Sequence, residues 1–304
     1  MLDVRKLHLL RELKHRGTLA AVAEALSFSP STISQQLSVL EREAGVPLLE
    51  PVGRRVRLTP QAEILVAHTE AILARLERAE ADLAASLDDL RGTLRVAAFQ
   101  TAALALVPNA LSLLRAAHPG LRVEVVQAEP EAALPALLAR DVDVAVTEEY
   151  PGTPPPRPGG VEYAELCRDA IRLAHPPGAD PSATLAATAD RPWVMEPRGS
   201  AARAWATALC REAGFEPDVR FESPDLLLHL RLVEEGHATA LLPDLLWTGP
   251  PPVPLTDVRR ERVLSTAHRR GGGAHPAVRA FHAAVSRAAG TGRPPGPGPD
   301  RPAG

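Results

Sequence analysis

Apolar residues recur at helical spacing through the first ninety or so positions, then give way to a shorter alternation of strands and helices. Leu7, Leu10 and Leu13 form one stripe and predict a first helix. Thr18 suits the N-cap of a second helix of small and apolar residues over 19–26, and the Ser-Phe-Ser at 27–29 breaks it. Ser29 then stands at an N-cap position with Pro30 at the first helical position, where a missing N–H costs nothing. In the third helix Ile33, Leu37 and Leu40 recur at steps of four and three and face inward. Its outward face carries Ser31, Thr32, Ser34, Gln35 and Ser38. These side chains are short, polar and uncharged, so they can approach base edges and hydrogen-bond to them. Two short helices with a tight turn are the arrangement that lets the second lie in a DNA major groove.

Gly45 stops the third helix. Gly53 fits a hairpin turn, Val56 and Leu58 alternate as a strand, and Arg54, Arg55 and Arg57 crowd the tip. A basic hairpin beside such a helix can clamp phosphates. From Thr59 and Pro60 a run without a helix breaker reaches Leu90. Within it Ile72, Leu76, Ala79, Leu83, Ser86 and Leu90 alternate steps of four and three, a heptad seam that predicts pairing with a second copy.

Beyond Gly92 short strands and helices alternate. Strands are expected over 94–99, 121–127 and 142–147, with helices over 102–117 and 131–139 between them, an order that implies a parallel sheet flanked by helices. The proline-rich 151–160 reads as a linker. A second set follows, with strands over 163–166, 171–174, 193–195, 219–222 and 238–242 and helices over 201–213 and 224–235. After the prolines of 249–254 come a last strand over 263–268, a loose loop at 271–273 and a final helix over 276–289. The tail from residue 290, rich in Gly and Pro, cannot bury a core and is expected to be disordered.

Length and charge refine this picture. A chain of 304 residues exceeds one typical core and suggests two or three domains. Aromatics are only 3%, so the cores must rest on Leu, Val and Ala, and no stacking pocket for an aromatic ligand is indicated. The net charge of −3 argues against a protein that coats nucleic acid, but its distribution is uneven. Residues 1–60 hold nine Lys/Arg against six Asp/Glu, whereas 61–90 hold two against seven. A basic head followed by an acidic helix suits a protein that touches DNA with one end. No signal-like or membrane-length apolar run is present, so a cytoplasmic location without membrane contact is expected. Cys167 and Cys210 read as reduced buried thiols, and the ten histidines lack metal-ligand spacing. No metal and no cofactor is therefore expected.

The segments LAAVAEALSFSPSTISQQLSVLEREAGVPLLE and GRRVRLTP resemble, densely and in order, the winged helix-turn-helix and linker helix of LysR-type transcriptional regulators. One departure stands out. Where that family usually opens the wing with Phe-Glu-Arg, this chain has Leu49-Glu50-Pro51, which removes a basic side chain and a backbone donor. More loosely, LRVAAFQTAALALVPNAL, LLARDVDVAV, CREAGFEPDVRFES and LVEEGHATALLPDL resemble the two-lobed α/β, type 2 periplasmic-binding-protein-like effector domain of the same family.

The resemblance implies a winged helix-turn-helix domain over 1–59 and a linker and dimerisation helix over 60–91. It implies a first effector lobe over 92–160 and 269–289 and a second over 161–268, ahead of the tail 290–304. It also implies a homodimer or homotetramer paired through Ile72, Leu76, Ala79 and Leu83, a dyad-symmetric double-stranded DNA operator, a small-molecule effector, and RNA polymerase as a possible further partner. The DNA contacts expected are Ser29, Pro30, Ser31, Thr32, Ser34, Gln35, Ser38, Arg54, Arg55 and Arg57.

Ligands in open α/β sheets bind beyond the carboxyl ends of strands, at helix N-termini. Phe99, Gln100 and Thr101 occupy such a place on one lobe, and Glu196, Arg198, Gly199 and Ser200 on the other. Thr147 and Glu148 lie at the crossover, and Ser223 starts another helix. Thr101, Ser200 and Ser223 equally suit simple helix caps. Arg198 and the helix N-termini favour a small anion, while Glu148 and Glu196 pull the other way. No GxSxG, P-loop, HExxH or Rossmann glycine pattern is present, so no catalytic residue is indicated. A cytoplasmic solute-binding protein or an enzyme built on the two lobes remains the alternative.

Overall fold

Three helices and a hairpin form the N-terminal unit of the computed structural model, which describes residues 2–26, 28–53, 55–87, 89–152, 157–180, 182–247 and 249–291, with Arg55 and Thr291 described at the backbone. Arg54, the Arg55 side chain, linker residues 153–156 and the tail from residue 292 lie outside the described residues. Asp3 caps α1 (Val4–Arg16) and Thr18 caps α2 (Leu19–Ala25). Ser29 caps α3 (Pro30–Ala44) by accepting from the Thr32 N–H at 3.1 Å. Leu7, Leu10, Leu13, Val22, Ile33, Leu37, Leu40 and Leu48 are buried together in one core. Each such side chain contributes about 1.5–3 kcal/mol of burial, and together they fix α3 against its neighbours.

Gly45 ends α3 in the left-handed conformation, φ 71°. The Glu41 carboxylate then accepts the N–H groups of Leu48 and Leu49 at 2.8 and 3.0 Å, tying the hairpin to α3. Strands β1 (Leu49–Val52) and β2 (Arg55–Leu58) pair antiparallel, Leu49 opposite Leu58. Thr59 donates to the Pro47 carbonyl at 2.9 Å and caps α4 (Pro60–Ala85).

Helix α4 ends five residues before the expected Leu90. The Ser86 hydroxyl turns back to the Leu83 carbonyl at 2.7 Å, and acidic residues gather where the helix dipole is negative. Leu90 instead packs on the core of the next domain. Ala62, Val66, Thr69, Glu77 and Ala81 are buried along one face of α4. Ile64 is exposed by 62%, and Ile72, Leu76 and Leu83 of the seam by 38, 44 and 70%, so the seam is left open among the described residues.

The rest is two α/β lobes sharing one mixed sheet. Its order is β4 (Leu121–Gln127), β3 (Gly92–Ala98), β5 (Val144–Glu149), β10 (Leu255–Arg269), β6 (Val161–Ala174), β9 (Ala240–Pro243). Only β4, β3 and β5 run parallel; β10 is antiparallel to both β5 and β6, and β6 to β9. A separate parallel pair joins β7 (Pro192–Met195) to β8 (Asp218–Glu222). Helices α5 (Gln100–Ala105), α6 (Val107–Ala117), α7 (Pro130–Leu138), α8 (Ala201–Glu212), α9 (Leu226–Glu234) and α10 (Pro276–Thr291) cover the strands.

Several element bounds are corrected. The parallel sheet expected of the first three strands is present as β4, β3 and β5, and it continues into a mixed sheet because β6 and β10 each run through both lobes. The strands expected at 163–166 and 171–174 are one strand, and the last strand begins at Leu255, with an irregularity between Asp257 and Arg260 where Arg259 takes φ 53°. The helix expected over 102–117 is two. Pro108, lacking an N–H, sits at the start of α6, and Leu106 separates the segments. The loop expected at 271–273 closes as a short 3-10 turn, and Gly271 (φ 88°) brings it against α4. A side chain at Gly271 would stand 2.3 Å from the Ala74 carbonyl oxygen.

Helix α10 returns Phe281, Ala284 and Val285 to the core of β3 and β5. The passage between lobes lies inside β6 and β10. Val161 and Ala267 belong to the first-lobe core, Ile171 and Leu173 to the second, so the divisions at 160/161 and 268/269 fall at the outer ends of these strands.

Candidate functional site

Two surfaces carry the sequence-predicted residues. On α3, Ser31, Ser34, Gln35 and Ser38 are exposed, and Thr32 is half-buried. Ser29 and Pro30 are exposed at the helix start, where the Ser29 hydroxyl is shared with Ser31 at 2.7 Å and Thr32 at 2.8 Å. These serines thus order one another while presenting hydroxyls outward. On the hairpin Gly53 makes the turn with φ 62°. Arg57 is exposed and paired with Glu50 at 2.7 Å, which occupies part of its charge.

The second surface is a cavity of about 580 Å³ between the lobes. Phe99, Gln100, Thr101, Glu148, Glu196, Gly199 and Ser200 line it. Three expected residues do not. Thr147 is buried on the opposite side of β5 from Glu148, as strand alternation requires, and its hydroxyl lies 3.4 Å from the Ser265 carbonyl. Ser223 closes its own turn, accepting from the Asp225 N–H at 3.0 Å, while its carbonyl is 2.8 Å from His229 Nε2. Arg198 is exposed and lies outside the lining.

Several lining residues escape a sequence reading, Arg262 above all. It is buried on β10 with every nitrogen engaged. Its Nε and Nη2 donate to Asp169 at 2.9 and 2.7 Å, its Nη1 pairs with Glu148, and its Nη2 also donates to Thr101 Oγ1 at 2.6 Å. The guanidinium stands 5.2 Å from the Phe99 ring centroid. Tyr150 donates to the other Glu148 oxygen at 3.2 Å, and the Leu245 N–H donates to Asp169 at 3.0 Å. Burial alone opposes the Arg262 charge, but Glu148 and Asp169 outweigh it and hold its pKa above the ordinary value.

Two helix N-termini at the cavity already have partners from the first lobe. The Gln100 amide donates to Asp225 at 2.6 Å and accepts the Leu226 N–H at 2.8 Å, bridging the lobes at the start of α9. The Glu131 carboxylate lies 3.4 Å from the Ala201 N–H at the start of α8. Side chains of the first lobe thus take up an N–H at the start of α8 and of α9, which weighs against the small anion expected there. Meanwhile Glu129 and Glu196 also line the cavity, and burial first, then the charge of Glu148, pushes each carboxyl up to about 7.

The N-terminal unit and the linker helix also touch the first lobe. Glu77 of α4 pairs with Arg269 at 2.5 Å and Arg140 at 2.8 Å, and Arg11 donates to the Leu138 carbonyl at 2.9 Å. Cys167 packs on the first-lobe core and Cys210 is buried in the second, where burial pushes its thiol up to about 12.

The family model for a LysR substrate binding domain matches residues 87–290, and that for a bacterial regulatory helix-turn-helix protein of the lysR family matches 4–63. The transcriptional dual regulator GltC of Bacillus subtilis is 27% identical over 243 residues, 80% of this chain and 81% of that one. A probable hydrogen peroxide-inducible genes activator of Mycobacterium avium is 29% identical, over 74% and 72% of the two chains. Among solved structures, a full-length OxyR variant from Pseudomonas aeruginosa superimposes with a TM-score of 0.63 at 20% identity, covering 94% of this chain and 95% of that one. CbnR, a LysR family transcriptional regulator, gives 0.54 at 23% identity, covering 93% and 100%.

Proposed function

The chain belongs to the LysR family of transcriptional regulators, and from that premise we propose that it reads a dyad-symmetric site on double-stranded DNA as a dimer, under the control of a small molecule held between its lobes. The observation that carries this reading is the outer face of α3. It exposes Ser31, Ser34, Gln35 and Ser38 while Ile33, Leu37 and Leu40 lock the helix in place. Ser29, Pro30 and Thr32 complete the end that approaches the groove, and Arg54, Arg55 and Arg57 of the wing hold phosphates. The exposed seam Ile72, Leu76, Ala79 and Leu83 pairs two copies and sets the spacing of their reading heads. The protein works in the cytoplasm; among the described residues no helix is long and apolar enough to cross a membrane. Its action is binding rather than catalysis.

Strand β10 supports a route from ligand to DNA. It carries Arg262 in the cavity and, seven residues on, Arg269 against Glu77 of the linker helix. That separation is roughly 23 Å along an extended strand. A ligand that favours one closure of the lobes thereby favours one placement of α4, and a differential affinity of this kind is what regulation requires.

Fluorescence anisotropy on the preferred site and on random DNA tests the reading surface. Gln35→Ala relaxes the preference at one position of each half-site and costs about 1–3 kcal/mol on the original sequence. Arg55→Ala weakens binding to all sequences alike and flattens the salt dependence by about one phosphate's worth. An unchanged specificity ratio for Gln35→Ala contradicts the assignment of α3.

A further inference from the structure

We propose that the molecule bound between the lobes is a small organic cation, an ammonium or guanidinium group on a short apolar body, seated against Glu129 and Glu196. The inference rests on reading this cavity as the effector site.

Four carboxylates line the cavity, those of Glu129, Glu131, Glu148 and Glu196, against two cationic side chains. The buried cation has no donor left for a ligand, and the exposed one is already paired. Arg262 is saturated by Glu148, Asp169 and Thr101, and Arg157 is held by Glu149 at 2.8 Å, its guanidinium 5.1 Å from the Tyr163 ring centroid. Glu131 faces the start of α8 and Glu148 is paired, which leaves Glu129 and Glu196 without an ion-pair partner among the described residues.

The groups facing Glu196 are its own backbone N–H, Glu148, Arg262 and Glu129, and those facing Glu129 are Glu148, the Gln100 N–H, Glu131 and Arg262. In both sets negative charge outnumbers positive. Each carboxyl thus carries an unmet demand for positive charge that an entering cation satisfies. The rest of the wall is apolar, with Leu134, Leu226, Pro130 and Pro197 beside the Tyr150 ring. Such a wall suits the carbon body of an organic ligand, and the volume lies within the usual range for small-molecule sites. No group of acidic, His and Cys side chains among the described residues is arranged to hold a metal ion, which favours an organic cation over an inorganic one.

The sign of the pH dependence follows. A carboxyl raised to about 7 in the folded chain contributes stability that is present at low pH and lost as pH rises through that value. The free protein therefore becomes less stable between pH 6 and 8. A bound cation favours the ionised carboxylates, so its stabilising effect grows over the same interval.

Thermal unfolding of the full chain tests this with cadaverine and agmatine as cationic probes and glutarate as the anionic counterpart, at equal ionic strength. Cadaverine or agmatine raises the Tm of the wild type, more at pH 8 than at pH 6, and glutarate does not. Glu129→Gln with Glu196→Gln weakens the cation at least tenfold and flattens the pH dependence of the free protein. Ala204→Trp fills the cavity from an exposed helix position and abolishes the response. Stabilisation by glutarate that Ala204→Trp abolishes overturns the cationic class and leaves the cleft as the site. A cation response that survives Ala204→Trp overturns the cleft itself. No response to either cation at millimolar concentration overturns the proposal.

Discussion

Leu76→Asp combined with Leu83→Asp yields a folded monomer that no longer binds its operator. Both side chains are exposed in the single chain, by 44 and 70%, so the core that holds each chain together loses nothing. In the dimer the same change places four carboxylates in an apolar seam. Burying an uncompensated polar group costs about 1–3 kcal/mol on protein-derived scales, and a charge costs more. Four of them raise the dimer dissociation constant by at least about a thousandfold. Sedimentation equilibrium reads the association state, and far-ultraviolet circular dichroism confirms that each chain keeps its helices. Loss of operator binding follows because one reading head lacks the second set of phosphate contacts. An intact dimer in the double variant contradicts the placement of the interface on this face of α4.

Arg262→Met destabilises the effector domain by about 3–5 kcal/mol near pH 8, a fall in Tm on the order of 10 °C for a domain of this size. The loss arises from what stays behind. Glu148 and Asp169 remain in the interior without the guanidinium that pulls their pKa values back towards the ordinary range. Their carboxyls then rise further, and such groups contribute stability below their unfolded pKa that disappears as pH climbs through the folded one. The deficit of the variant is therefore largest at high pH and shrinks as pH falls towards 5. Adding Glu148→Gln and Asp169→Asn, which remove the orphaned charges, recovers much of the loss. Urea unfolding across pH 5–8 measures this, and a deficit independent of pH contradicts the account of the cluster.

What the sequence shows plainly is local chemistry. Thr18, Ser29 with Pro30, and Thr59 with Pro60 announce helix starts because a cap acts within three residues of itself. Gly45 and Gly53 announce left-handed backbone in the same way. Leu76 and Leu83 stand out because a heptad repeat is visible along one helix.

The cleft is harder to read because its parts meet from far apart. Arg262 sits in a run of charge, Arg259 to Arg262, that resembles a solvated turn, and its partners Glu148 and Asp169 lie 114 and 93 residues away. Thr147 and Glu148 are adjacent, and only the strand's phase decides which one faces the cavity. Glu196 is visible as a carboxylate near a helix start, but that it has no ion-pair partner among the described residues is a fact of three dimensions. The continuous β6 and β10 are hidden for a related reason, since their polar stretches at 165–170 and 257–262 break the apolar alternation where the strands cross between lobes.

The most direct measurement is to sequence the DNA that the full-length protein retains from a pool of genomic fragments. The account predicts an enriched dyad-symmetric motif, with half-sites separated by a whole number of helical turns, that is lost when Leu76→Asp and Leu83→Asp are introduced. Retention without any shared motif, or the same motif recovered by the monomeric variant, would contradict it.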